Sequence, residues 1–424
     1  MVLIFCHYRN IGEIIVNYIF IDSKDDIEKV GIVEEGQLVE IYTNEEDNRK
    51  QAGNIYRGKV VNVLQGMEAA FVDIGKGKNA YLYVKDAMPK DLMYRNIEIK
   101  IDDIIKCGED VIVQVLKESS GNKGPKVTTH ITLPGRFLVL NPFSNKINIS
   151  RKINDIEEIE RLKEIGIEMQ REDMGLIFRT KASGVEKELL LDEYNMLVNI
   201  YKKIEREKNF LPCPKLIYKE MDLAHQIVRD AFSDKIHKII INDKDKYNSL
   251  LGFQDIISPN LNEKLFYDTD FDISFQENIQ KGIQTALERK VALKSGGYIV
   301  IDETEALTAI DVNTGKFIGS KSLEDTVVKT NLEAAEEISK QIRLRDIGGI
   351  IIIDFIDMKA KDDIKLVLDK LEKGLSLDRN KANIIDITKL GLVELTRKKV
   401  RNSLGTNFIK KCPYCNGKGK ILDI

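Results

Sequence analysis

Apolar positions along the chain fall into short runs whose spacing changes character three times. The first change comes near Asn54, where closely spaced β-like runs occupy residues 55–63, 69–74, 81–84 and 111–116. Gly66, Gly75, Gly77 and the polar cluster around Gly108 separate them, and short strands at this spacing predict a small antiparallel barrel. Residues 121–125 read as a linker out of it. A mixed region follows, with strand-like runs at 137–140 and 175–180, an acidic helical stretch at about 155–169, and a helix from Glu186 to about Glu207 that Pro212 and Pro214 close off. Residues 216–275 read as helix, strand (238–241) and helix.

The third region has the clearest pattern. Strands at 298–301 and 307–312 flank a turn, and Ser322 with Asp325 resembles a capping box opening a helix. Val328, Leu332, Ala335, Ile338 and Ile342 share one face of that helix, and Gly348 and Gly349 stop it. The continuously apolar run 350–353, ending in Asp354, has the texture of a strand buried on both faces. Strand, helix and strand in this order predict a partly parallel α/β domain.

Composition adds that the 424 residues, 43% of them hydrophobic, are ample for several folded domains, and that disorder is not the main state. The formal charge of only -3 argues at first sight against a nucleic-acid binder. It conceals two basic stretches: six basic and no acidic residues in 121–152, and eight basic against two acidic in 391–424. No apolar run approaches the ~20 residues of a membrane span, and the N-terminus lacks a signal-peptide layout. Cys6, Cys107 and Cys213 are scattered while Cys412 and Cys415 are paired, which is no disulfide framework and points to the cytoplasm.

Four constellations carry candidate chemistry. Strand alternation puts Ala309, Asp311 and Asn313 on one face, and Asp354 ends a neighbouring strand. Two carboxylates brought together there repel unless a cation sits between them, and hard oxygen donors suit Mg²⁺ and metal-assisted phosphodiester hydrolysis. Strand-end aspartates also serve simply as turn caps, and Asp302, Glu303 and Asp357 are rivals. Phe71 and Tyr81, with Arg57 and Lys59 alternating nearby, suit base stacking and phosphate contact, as well as an ordinary core. Lys123, on the linker, is a better candidate for phosphate contact. Arg179 and Thr180 follow a strand and suit a terminal phosphate, or a surface ion pair. Cys412-Pro413-Tyr414-Cys415 is half of a zinc site that a second copy of the chain would complete, with a redox dithiol as the alternative.

These residues together resemble the ribonuclease E/G family. The resemblance rests on Ala69-Ala70-Phe71-Val72-Asp73, Gly121-Asn122-Lys123-Gly124, Phe178-Arg179-Thr180 and Glu305-Ala306-Leu307-Thr308-Ala309-Ile310-Asp311-Val312-Asn313. Asn331-Leu332-Glu333-Ala334-Ala335, Arg343-Leu344-Arg345-Asp346-Ile347-Gly348-Gly349, Ile353-Asp354-Phe355-Ile356-Asp357-Met358 and the cysteine knuckle complete it. The resemblance implies an α/β multidomain fold. A ribonuclease H-like domain (1–40 and 216–278) is interrupted by an S1 barrel of the OB type (41–125) and a 5′-sensor (126–215). A deoxyribonuclease I-like catalytic domain (279–400) and a zinc-link (401–424) follow.

It further implies an Mg²⁺-dependent endoribonuclease that cleaves single-stranded A/U-rich RNA, prefers a 5′-monophosphate, leaves 5′-phosphate and 3′-hydroxyl ends, and acts in rRNA processing and mRNA decay. Asp311 and Asp354 match the Mg²⁺ aspartates and Asn313 the supporting asparagine. Phe71, Tyr81 (where Phe is more usual) and Lys123 match RNA contacts of the barrel. Arg179 and Thr180 match the pocket that senses a 5′-monophosphate, with Val139 a nearby RNA-contacting backbone position, and Cys412 and Cys415 match the zinc shared within a homodimer, which could pair again into a dimer of dimers. Lys152 and Lys381 stand where Arg is expected and lose its bidentate geometry. The sequence ends soon after the knuckle, so the expectation is a ribonuclease G-like member without the long C-terminal scaffold and its degradosome-type partners.

Overall fold

The computed structural model describes residues 16–24, 27–44, 52–89, 99–118, 123–170, 174–207, 212–258, 260–315, 323–399, 403–409, 412–415 and 419. The expected cap at Ser322, the Gly121-Asn122 pair and most of the acidic stretch 42–51 lie outside them. The chain forms two compact units, Met1–Glu46 with Ser233–Ser249 and Glu263–Ile424, and Asp47–Phe232 with Leu250–Asn262.

The second unit contains the barrel. Strands Ile55–Leu64, Ala69–Asp73, Ala80–Tyr83, Lys126–Thr128 and Asp110–Lys117 follow one another around it, and Asp110–Lys117 returns to pair with Ile55–Leu64. Four of these strands are those the pattern marks; the closing one, Lys126–Thr128, is three residues long and too short to show a period. Alternation drives the interior, where Val60, Ala70, Val72, Leu82, Val113 and Val127 pack together. Strand Lys215–Tyr218 pairs antiparallel with the first residues of Ile55–Leu64. Beside the barrel in sequence, a four-stranded sheet in the order Ile147–Ile149, Gly175–Phe178, Leu138–Asn141, Leu133–Pro134 packs Leu138, Leu140, Leu176 and Phe178 against helices Ile156–Met169 and Lys187–Glu207. Asp155 caps the first helix by accepting from the Glu157 and Glu158 amides.

The first unit has two sheets. One joins Tyr18–Asp22, Glu28–Glu34 and Gln37–Asn44 to Lys238–Ile241 and Leu265–Tyr267, segments from either side of the second unit in sequence, with parallel pairing between Tyr18–Asp22 and Lys238–Ile241. The other has six strands in the order Lys290–Ala292, Tyr298–Glu303, Leu307–Asn313, Gly349–Asp354, Val393–Arg397, Ala382–Ile387. Leu307–Asn313 and Gly349–Asp354 are parallel, joined through helix Leu323–Leu344, as the strand, helix, strand pattern predicts. One expectation fails: Ile351 and Ile353 are fully buried, but Ile350 is 51% exposed and Ile352 only partly covered. Helices Leu323–Leu344 and Lys361–Ser376 contribute Ala334, Ala335, Ile338, Val367 and Leu371 to a core on one face of the sheet. The opposite face stays open, and four isoleucines in a row mask that asymmetry in the sequence.

Candidate active site and nucleic-acid interface

The open face of the six-stranded sheet carries the carboxylates. Thr308, Ile310 and Val312 turn into the core, so Leu307, Ala309, Asp311 and Asn313 face outward. The parallel register sets Asp311 directly opposite Asp354, and both are exposed. Neighbouring strands lie about 4.8 Å apart, so the two negative charges repel unless a cation is shared between them. Asn313 Nδ2 donates to Asp311 Oδ2 at 2.7 Å, leaving the other Asp311 oxygen directed by that contact. The donor set fits Mg²⁺: two hard, accessible carboxylates leave room for water and phosphate oxygens. Among the described residues no group of three or more His, Cys, Asp or Glu is placed to hold a metal.

The rivals are positioned differently. Asp302 shares the open face but is engaged in two contacts by Arg289, at 2.5 and 2.6 Å, and that guanidinium holds its carboxyl below the usual range. Asp357 lies past the strand end and is exposed. Two supports of the pair were not legible as such. Fully buried Asn331 donates to the Ile356 carbonyl at 2.8 Å and accepts from the Ile356 amide at 3.1 Å, clamping the backbone just after Asp354. Buried Arg397 reaches Asp346 at 2.6 Å, Asp378 at 2.6 Å and the Ile347 carbonyl at 2.9 Å, bracing the turn that delivers Gly349–Asp354.

On the barrel, Phe71 and Tyr81 are directly paired across adjacent strands, and both sit half-buried on the outside while their neighbours Ala70, Val72 and Leu82 fill the interior. Their rings meet edge to face, 6.0 Å between centroids. An outer aromatic pair is available for stacking in a way that an inner one is not. Lys123 is exposed beside it: a side chain at Gly124 would come within 1.9 Å of the Asn79 carbonyl, so glycine there lets the chain press against the Tyr81 strand. Arg57 and Lys59 are both drawn to Asp110, at 2.7 and 3.6 Å.

The Arg179 region is a cage of charges. Its guanidinium donates to the Gly135 carbonyl at 2.5 Å and pairs with Asp230 at 3.0 Å, while Thr180 Oγ1 and Ser150 Oγ lie 2.8 Å apart. Burial works to raise Asp230, but the Arg229 and Arg179 guanidiniums outweigh it and hold the carboxyl below its ordinary value. Glu193, 7% exposed, accepts from the backbone amides of Arg136, Phe137 and Leu138 and so fixes the segment leading to Val139. Burial pushes its pKa up against the pull of those amides. Val139 is half-buried, opposite Ile177. Glu193 was detectable in the sequence: with Leu190, Tyr194 and Leu197 it occupies the buried stripe of its helix, a charged residue in an apolar face.

Cys412 and Cys415 are free thiols on one turn. The backbone amides of Cys415 and Tyr414 hold Cys412 below the usual thiol value, and the Gly419 amide donates to Cys415 Sγ at 3.3 Å. Amide donors aimed at sulfur favour thiolate, the form that binds zinc.

Comparison with known proteins points in one direction. The model of the ribonuclease E/G family matches residues 132–400. Ribonuclease G of Salmonella typhimurium (strain SL1344) is 41% identical over 93% of this chain and 82% of its own length, and Ribonuclease G of Escherichia coli (strain K12) matches at the same level. Ribonuclease E of Nostoc sp. (strain PCC 7120) is 36% identical over 92% of this chain but 58% of its own length. With the family model covering more than half of its residues and long relatives well above 30% identity, this chain belongs to the ribonuclease E/G family.

Proposed function

We propose that the chain is an Mg²⁺-dependent endoribonuclease that cuts single-stranded, A/U-rich RNA with preference for a 5′-monophosphate end, in rRNA processing and mRNA decay. The observation that carries this reading is the Asp311 and Asp354 pair on adjacent parallel strand ends, steadied by Asn313, in a member of this family. Asp311 and Asp354 hold the cation, and Asn313 keeps Asp311 oriented toward it. Bound Mg²⁺ supplies charge for the phosphate oxygens and acidity for the attacking water. Phe71, Tyr81 and Lys123 grip the single strand, while Arg179 and Thr180, with Val139 beside them, receive its 5′ end. Contacts of this kind contribute to rate by positioning the substrate. Cleavage leaves 5′-phosphate and 3′-hydroxyl ends. Purified protein with Mg²⁺ should therefore cut a 3′-labelled, 5′-monophosphorylated A/U-rich strand faster than its 5′-hydroxyl twin. Failure to cut either refutes the proposal.

Lys181 adds a pH dependence to the 5′ pocket. It donates to the Phe232 carbonyl at 2.9 Å, and burial, then Arg136, push its ammonium down to about 8, with Asp230 opposing. The group is cationic below that value and neutral above it. The ratio of kcat/KM for 5′-monophosphate over 5′-hydroxyl RNA should fall as pH rises from 7 to 9, and Lys181→Ala should flatten the trend. A ratio that falls equally in the variant removes Lys181 from the pocket.

Cys412 and Cys415 supply two thiolates of a four-ligand zinc site, and a second copy supplies the others, so the metal joins a homodimer that can pair again. Replacing both by Ser should abolish bound zinc by elemental analysis and lower the assembly mass on sizing. Unchanged mass and metal would exclude the shared site.

A further inference from the structure

The strand register draws a straight row across the open face of the six-stranded sheet: Lys290 pairs with Val300, Val300 with Asp311, and Asp311 with Asp354. Directly paired residues share a face, so one cation and two carboxylates lie on a single line of side chains. The adjacent row runs Ala292, Tyr298, Asn313. Lys290 leans into it, its Nζ 3.5 Å from the centroid of the Tyr298 ring. Tyr298 in turn is register partner to the asparagine that holds Asp311.

We propose that Lys290, pinned over Tyr298, binds a phosphate of the RNA next to the one being cut. This rests on the reading of Asp311 and Asp354 given above. Two strand spacings, about 10 Å, separate the Lys290 and Asp311 backbones, and a long side chain narrows that gap to the reach of a neighbouring phosphate. The charge is available: Lys290 is exposed and makes no ion pair among the described residues, whereas Arg289 beside it is committed to Asp302. Need for it is electrostatic. Asp311 and Asp354 present two negative charges to a negative strand, and Lys290 is the cation in their own row. Tyr298 acts on Lys290 as a positioning residue, since its ring face attracts the ammonium and restricts a side chain that would otherwise wander.

The test uses purified wild-type protein and a short A/U-rich strand. Lys290→Ala should lower kcat/KM about five- to tenfold, mainly through KM. It should also reduce the slope of log kcat/KM against log salt by about 0.7, the value for one phosphate contact to a single strand. Lys290→Arg should keep the slope. Tyr298→Phe should behave as wild type, and Tyr298→Ala should cost nothing further once Lys290 is Ala. A strand carrying one neutral methylphosphonate beside the cleavage position, made in turn for each side, should cost wild type the same factor at one position and cost Lys290→Ala nothing more there. An unchanged salt slope, or losses that multiply at both positions, overturns the proposal while wild-type cleavage leaves the Asp311 and Asp354 reading intact. Absence of cleavage by wild type overturns both.

Discussion

Asp311→Asn and Asp354→Asn should each slow Mg²⁺-supported cleavage by roughly a hundred- to a thousandfold, with RNA affinity measured without cleavage unchanged. Asparagine keeps the shape of aspartate and removes the charge that a hard cation requires. Metal stabilisation of a phosphoryl transition state amounts to several kcal/mol, and about 1.4 kcal/mol is a factor of ten. Folding should not suffer, because both side chains are exposed and their mutual repulsion is relieved. RNA affinity should persist, because the proposed RNA contacts Phe71, Tyr81 and Arg179 belong to the other compact unit. Asp302→Asn is the internal control: its carboxylate is engaged by Arg289 on the same face, and its loss should leave the rate within about twofold. Substantial Mg²⁺-dependent cutting by either of the first two variants, or loss in Asp302→Asn as large as theirs, would sink the assignment.

Arg397→Met should destabilise the unit that carries the site by about 3–5 kcal/mol. Methionine replaces most of the volume but abandons two carboxylates that the guanidinium now joins, Asp346 and Asp378, both buried. Burial alone would lower the Arg397 pKa; Asp378 first and Asp346 next more than compensate and raise it. The position matters beyond stability. Asp346 sits at φ +51° in the reversal between helix Leu323–Leu344 and strand Gly349–Asp354, and Arg397 also holds the Ile347 carbonyl. Loosening that turn shifts Asp354, so kcat should drop even where the protein remains folded. Chemical denaturation with the Asp378→Asn and double variants decides: the double variant should be less destabilised than the two single losses added together. Additive losses would mean that the buried cluster does not act as a unit.

Much of the architecture was written in periodicity. Helix Leu323–Leu344 follows the apolar face marked by Ala335, Ile338 and Ile342, and the barrel follows four glycine-punctuated runs. Local signals of this type survive because each depends on neighbours a few residues away. Lys126–Thr128 escaped because three residues carry no period, and the run 350–353 misled because uniform isoleucine says nothing about which face will be covered.

The candidate site divides in the same way. Sequence alone singled out the candidates, Asp311, Asn313 and Asp354 at strand ends, Phe71 and Tyr81 in a barrel, and Cys412 and Cys415 in a knuckle, and left Asp302, Glu303 and Asp357 as rivals. Tertiary structure alone decided that Asp311 and Asp354 are register partners, that Phe71 and Tyr81 face outward, that Arg289 engages Asp302, and that Asn331, Glu193 and Arg397 hold the backbone beneath. The reason is physical. Residue type and spacing specify local conformation, but which face of a sheet is covered, and which distant partner satisfies a buried charge, depends on long-range pairing that no short window of the chain contains.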